Sequence, residues 1–481
     1  MIPRSMMAVR VLGAVCLLAV AALARALPIQ LTDTNSTRYN VNTQVSPLIT
    51  ASDASGALTN ATYTKAETVT NYFVVFTLFG GTSTFTTQFK VDVPLTPAFV
   101  GFNGLLISSL NGQNLPSPLV FNTGEALAGE DCPDGNGTNQ ELVFPTQTFG
   151  AQNLTLTRKV FVPHNQAWAR WQNIVTNTGS TQAQVGISLK GLLATVSSCP
   201  VGPCNTQVIA TSTGDTALGA QDLWFTTAQS VPQGRTSFEP RLGFVVQNTG
   251  AATPASSVGI NSVGQAVFTF TPTIPAGGTV IVMTFVTVQG KSSQTKSTCE
   301  DIVANPLPSD AIKCMSEVEL AEVVNFPKIT PPTLKNATVK LKFNKTGQDT
   351  VQWKGKVTIG AGISLQGLPI TVDFGGVTQS FLLSKSGSAN DGGGNKFDLQ
   401  AQLSNGVTKA GNVKFSFNLK GDLQGALAQY GLTNATVQNA SVSIPLTFAV
   451  GSSGAGYGVD QAFTYNATQG KSGTAKAPPS S

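Results

Sequence analysis

Residues 154–177 constrain the fold more than any other stretch. Leu154, Leu156, Val160 and Val162 alternate with Asn153, Thr155, Thr157 and Lys159. A period of two marks a strand with one buried face. Pro163, His164, Asn165 and Gln166 break the run as a turn, and residues 167–177 resume it with Trp168 and Trp171. The only His of the chain lies in this hairpin, so imidazole chemistry has no other place to be built.

Arg158 sits on the apolar face, between Leu156 and Val160. An unpaired buried charge is very costly. With the turn at 163–166, Val162 faces Ala167 and Arg158 faces Trp171, which predicts a cross-strand cation–π contact worth ~1 kcal/mol. Two readings stand. In one, Arg158, Trp168 and Trp171 are ligand-binding residues of a groove. In the other, Arg158 sits at a sheet rim or is paired inside a core that also buries the Trp residues.

The rest of the chain follows the same style. Charged residues make up only 11% and hydrophobic residues 41%, a mixture that suits many short strands and can bury a core. Residues 72–79 and 84–93 flank Gly80-Gly81 as a hairpin, and further strand patterns recur as far as residue 288. Helix signals are few. Ser316 and Glu319 fit a capping box ahead of Leu320, Val323 and Val324, residues 299–304 suit a turn of helix, and residues 422–430 form a short helix ended by Gly431. The expected fold is mostly β, a large β-sandwich or supersandwich over 27–326, followed after a Pro-rich linker (327–334) by a smaller antiparallel β-sandwich over 335–470. Residues 471–481 read as a disordered tail.

Residues 1–26 read as a secretory signal peptide. Arg4 and Arg10 give a basic start, 11–23 is a short apolar run, and Ala24-Arg25-Ala26 is a small-residue cleavage site. No later segment is apolar enough to span a membrane, so a secreted, extracellular protein is expected. In that oxidising compartment the cysteines read as disulfides. Cys199 and Cys204 would staple one small loop, Cys299 and Cys314 a second, and Cys132 is left over. From Lys335 onward there are 13 Lys against 6 Asp, with no Arg and no Glu, whereas residues 27–334 hold 13 basic and 18 acidic groups. An all-Lys surface is the ordinary sign of a solvated face rather than of phosphate recognition. The other reading is a Lys-rich face that attracts an anionic wall polymer.

Several short runs carry a resemblance. Arg158-Lys159-Val160-Phe161-Val162-Pro163, Ala169-Arg170-Trp171, Thr176-Asn177-Thr178-Gly179, Asp222-Leu223-Trp224 and Pro275-Ala276-Gly277-Gly278 resemble large secreted β-sandwich modules of bacterial-type surface proteins. They are also similar to supersandwich domains of carbohydrate-active enzymes. Phe374-Gly375-Gly376-Val377 with Phe381-Leu382-Leu383 resembles a second module of such surface proteins. The resemblance implies β-sandwich architecture and little about activity. No helical-toroid catalytic domain of the kind found in those enzymes follows.

Catalytic patterns are scarce. No Gly-x-Ser-x-Gly elbow is present, and Gly290-Lys291-Ser292 and Gly470-Lys471-Ser472 lack the earlier Gly of a phosphate loop. Asp134, Asn136 and Thr138 have alternate spacing that could offer oxygen ligands to Ca²⁺, but Pro145 stands at the twelfth position where an EF-hand needs Glu. No other cofactor is expected. Nine Asn-x-Ser/Thr sites occur, Asn336 among them. The leading expectation is a non-catalytic structural, adhesive or surface-binding protein, with a carbohydrate-binding or carbohydrate-active protein as the alternative. Expected partners are wall or extracellular polysaccharide or other surface proteins, and not nucleic acid.

Overall fold

The computed structural model describes residues 29–33, 37–42, 57–76, 82–95, 99–123, 127–128, 140–193, 205–230, 241–262, 264–451 and 456–478. The expected signal sequence, Cys132, Cys199, Cys204 and the Asp134, Asn136, Thr138 loop lie outside them. The fold is mostly β, built from antiparallel sheets with a few short helices.

Two sheets face each other in the first part of the chain. An eight-stranded sheet runs in the order 205–211, 224–230, 241–245, 279–289, 168–177, 154–161, 141–149, 127–128. A ten-stranded sheet holds Phe99–Leu110, Ala183–Leu193 and Gln265–Phe270 near its middle. The inward faces meet in one apolar core, with Phe102 against Phe244 and Phe225 against Phe268 at ring-centroid distances of 5.2 and 5.9 Å. The strand Thr279–Gln289 is buried on both faces, and its TVIVMTFVTVQ sequence accordingly places apolar residues on both faces rather than on alternate positions only. Its outer face is covered by the Ser292–Ile302 helix, the 3-10 turn Ser309–Ile312 and the Glu317–Glu322 helix, which close a second core around Trp168, Phe285 and Leu320. Ser316 caps the last of these helices, with its side chain accepting from the Glu319 N–H and the Glu319 carboxylate accepting from the Ser316 N–H.

From Ile329 onward the chain forms an eleven-stranded sheet, ten of its strands in the order 377–382, 369–374, 437–450, 456–468, 472–476, 333–341, 349–359, 411–421, 396–400, 388–390 and the eleventh, Ile329–Thr330, beside 456–468, together with a small ribbon of 403–404 and 407–408. The sheet rolls on itself. Phe381 near one end of this order lies 5.9 Å from Phe397 near the other, and Trp353, Phe374, Phe417 and Phe463 fill the interior. The smaller antiparallel β unit expected after the linker is present, as a single rolled, near-barrel sheet. Ser472–Lys476, expected in a disordered tail, is an internal strand paired with Gly456–Thr468 on one side and Thr333–Leu341 on the other. The Pro-rich connector also takes part, since Ile329–Thr330 pairs parallel with Gly456 and Tyr457.

The hairpin of residues 154–177 forms as expected, but with a different register. Phe161 faces Arg170, Val160 faces Trp171 and Arg158 faces Asn173. The turn is wider than Pro163–Gln166, which moves Trp171 away from Arg158. The cation–π contact belongs instead to Arg170, whose guanidinium carbon lies 4.8 Å from the Phe161 ring centroid. The Cys299–Cys314 staple does not form. Cys299 is a buried free thiol on the inner side of the Ser292–Ile302 helix, and the space a Gly243 Cβ would take is filled by its Sγ.

Candidate functional site

The residues expected to line a ligand groove are interior. Trp171 is fully buried between the two facing sheets, and Trp168 is buried on the other side of the same strand, edge-on to Phe285 at 5.3 Å. Arg158 is also fully buried, donating from a terminal guanidinium nitrogen to the Asn103 carbonyl oxygen. Desolvation pushes its pKa down to about 9. The structure thus brings Arg158 and Trp171 into one core and leaves Trp168 in another, with no open surface at any of the three.

A second polar cluster joins the first part of the chain to the rolled sheet. Asp310 accepts from Asn165 Nδ2 at 2.9 Å, from Gln166 Nε2 at 3.3 Å and from the Tyr430 hydroxyl. Asp373 accepts from Ser309 Oγ at 2.5 Å and from the Gly376 N–H at 3.0 Å. Lys313 donates to the Ser443 carbonyl at 2.8 Å and pairs with Asp460 at 3.3 Å. Burial pushes Asp310 and Asp373 above the ordinary carboxylate range. Hydrogen bonds from Tyr430 and Asn165 hold Asp310 back in part, and the neighbouring Asp310 charge adds to the rise at Asp373. His164 lines a cavity of only about 20 Å³ here, with Asp310, Lys313 and Tyr430. That space suits a single water. Asp310 and Asp373 each accept from three donors drawn from both parts or their junction, so the cluster ties the two parts together.

An open groove lies elsewhere, on the outer face of the rolled sheet. It crosses the four adjacent strands Thr333–Leu341, Asp349–Ile359, Gly411–Gly421 and Lys396–Gln400. Its volume is about 550 Å³, and four lysines line it, Lys335, Lys354, Lys356 and Lys414, with no acidic residue among the lining. The local sequence explains the geometry. Strand alternation sends Trp353, Val357, Val413 and Phe417 into the core and leaves Lys354, Lys356 and Lys414 outside. A register shift between Leu334 and Asn336 makes Lys335 an extra residue on the neighbouring strand, and it too is exposed. Gly355 sets the floor. A Cβ there would stand 2.6 Å from the Thr333 carbonyl oxygen and 2.7 Å from the Phe415 ring, so only Gly allows these strands to approach.

The charges in this groove repel one another. Lys356 and Lys414 are directly opposite across the two strands, a like-charge arrangement that destabilises a sheet. Lys354 stands two residues from Lys356, on the same face. Each such contact costs up to about 1 kcal/mol in water, and an anion lying between the ammonium groups would reverse the sign. On the adjoining strand Asp398 stands opposite Ser416, and it is engaged by Lys396 at 3.1 Å and by Ser388 at 2.5 Å. The Lys surplus of this half was visible in the sequence. Its gathering into one groove was not, because the cross-strand pairing of Lys356 with Lys414 joins residues far apart in the chain. The one local signal was Lys354-Gly355-Lys356, two lysines on one face with a Gly between them.

Among the described residues, no group of three His, Cys, Asp or Glu side chains is placed to hold a metal ion, and no helix is long and apolar enough to cross a membrane. No family model and no curated protein matches the chain. Solved structures with a weak likeness include a polysaccharide lyase, at 8% identity and a TM-score of 0.29, where the match covers 91% of this chain and 45% of the lyase. The chain thus spans about half the length of that enzyme. A galactose mutarotase-like protein from Lactobacillus casei matches at 7% identity and a TM-score of 0.26, over 55% of this chain and all of that one. Likenesses this loose assign no activity.

Proposed function

We propose that this chain is an exported, surface-acting binding protein whose lysine-lined groove holds an anionic polysaccharide. One observation carries the reading: four exposed lysines converge on a single groove without a lining carboxylate, two of them directly opposed across strands. Lys supplies a compact point charge on a flexible stem rather than a bidentate fork. A row of such charges suits repeated, well-separated anions along a chain better than one tightly gripped phosphate. The groove crosses four adjacent strands, which gives an extended polymer room to lie across it. Its lining holds no carboxylate or imidazole to form an acid–base pair, which supports retention rather than cleavage. Export rests on the pattern of residues 1–26, and no cofactor enters the reading.

The test is retention of the purified protein on polygalacturonate, on a sulfated polysaccharide and on a neutral glucan, with reducing-end release measured in parallel. Binding to the two charged polymers that weakens with added salt, without release, is the expected result. Equal retention on the neutral glucan, or release of sugars, would overturn it.

A further inference from the structure

Asn336 stands on the rim of this groove. It opens the sequence Asn336-Ala337-Thr338, is exposed, and is directly opposite Lys354 across the two strands. Directly paired residues of antiparallel strands share a face, with their Cβ atoms about 5 Å apart. The bulge at Lys335 puts consecutive residues of this strand on the exposed side, so that Asn336 and Lys335 both flank the groove. Two other acceptor sequences in this half have the Asn side chain tied to backbone. The Asn434 Oδ1 accepts from the Gly470 N–H at 2.7 Å, and the Asn466 Oδ1 from the Asn439 N–H at 2.9 Å.

We infer that Asn336 is an N-glycosylation site whose glycan shades the lysine groove, so that modification sets how well the groove binds polyanions. The inference rests on the binding function proposed above. In the modifying step the Asn336 Nδ2 attacks the anomeric carbon of a lipid-diphosphate-linked oligosaccharide. A C–N bond forms, the C–O bond to phosphate breaks, the lipid diphosphate leaves with the electron pair, and the amide nitrogen loses a proton. An Asn-linked oligosaccharide is bulky and neutral in its core. Attached beside Lys354, it would occupy the space a polymer needs to lie across Lys335, Lys354 and Lys356, and it would do so without altering the sheet beneath.

The experiment secretes the full chain from a glycosylating host as wild type, Asn336→Gln and Thr338→Ala. The second variant removes the acceptor sequence while keeping the Asn side chain. Peptide mass measurement gives occupancy at Asn336, thermal melting checks that all three fold alike, and binding is measured to polygalacturonate. The expected result is an occupied Asn336, with wild type binding on the order of tenfold more weakly than either variant, since a steric block acts by excluding the ligand. Trimming the wild-type glycan to a single sugar should restore binding. An unoccupied Asn336, or equal binding by wild type and both variants, would overturn the glycan inference while leaving the groove intact. If neither variant binds, the groove assignment itself fails.

Discussion

Positive charge is handled in opposite ways in the two parts of this molecule. In the facing sheets, Arg158 and Arg170 are fully buried and anchored to backbone. Arg170 donates to the carbonyls of Ala311 and Lys313, both at 2.8 Å, and lies 3.4 Å from Glu141. Its pKa is pushed down to about 10 by burial, against the pull of Glu141 and other acids. On the rolled sheet, Lys354, Lys356 and Lys414 are exposed and crowded together. A buried cation with fixed carbonyl partners determines one packing arrangement. An exposed cluster of like charges is a standing cost to the fold, and a bound anion relieves it. The comparison teaches that burial separates the cations that shape this protein from those that can act.

The largest expected effect falls on the buried side. Arg170→Ala strips donors from the Ala311 and Lys313 carbonyls and leaves Glu141 buried without its cation, so it should cost roughly 3–5 kcal/mol, read as a lowered denaturation midpoint. A change below 1 kcal/mol would erase the distinction drawn here. On the exposed side, Lys356→Glu with Lys414→Glu should weaken polyanion binding by roughly tenfold or more while leaving the midpoint near wild type. Loss of fold in that double variant would mean these lysines are structural after all.

The two parts meet at Asp310 and Asp373, and their pH response sharpens the contrast. Both carboxyls have pKa values raised above 3.8 in the fold. The folded state therefore holds protons more tightly than the unfolded chain, and these groups add stability as pH falls from neutral towards 3.8. At Glu319 burial raises the pKa, but Lys159 at 2.6 Å and Ser316 more than offset it, so it lies below 4.5. That stability is present above 4.5 and lost on acidification. The readout is accordingly the difference between wild type and Asp373→Asn. The variant keeps an acceptor for Ser309 and Gly376, and its melting temperature should gain less on going from pH 7 down towards pH 4. An identical pH profile would contradict the assignment. The smallest effect is expected from Lys414→Gln, which relieves repulsion with Lys356 and should raise stability by a few tenths of a kcal/mol; a loss of similar size would point to an unrecognised local partner.

Much of the fold was legible because it is written in short-range patterns. The period-two runs, the capping box at Ser316 and Glu319 and the Gly431 helix end all formed. What failed depended on partners distant in the chain. The exact width of the 162–167 turn shifted Arg158 from Trp171 to Asn173. Cys299 and Cys314 are close in sequence, yet the helix turns the Cys299 thiol inward beneath Gly243. Ser472–Lys476 looked like tail because Gly, Ser and Lys carry no strand signal of their own, and it is held by neighbours on both sides. The candidate site was legible only as a surplus of Lys. Its position required knowing that residues 333–341, 349–359 and 411–421 are adjacent strands.

Lysine reactivity is the most direct test of the central claim. The full chain is labelled with an amine-reactive reagent, with and without polygalacturonate, and each Lys is quantified by mass spectrometry. Protection concentrated at Lys335, Lys354, Lys356 and Lys414, with Lys296 on the Ser292–Ile302 helix unchanged, is the predicted result. Uniform protection of all exposed lysines, or protection that spares these four, would contradict it.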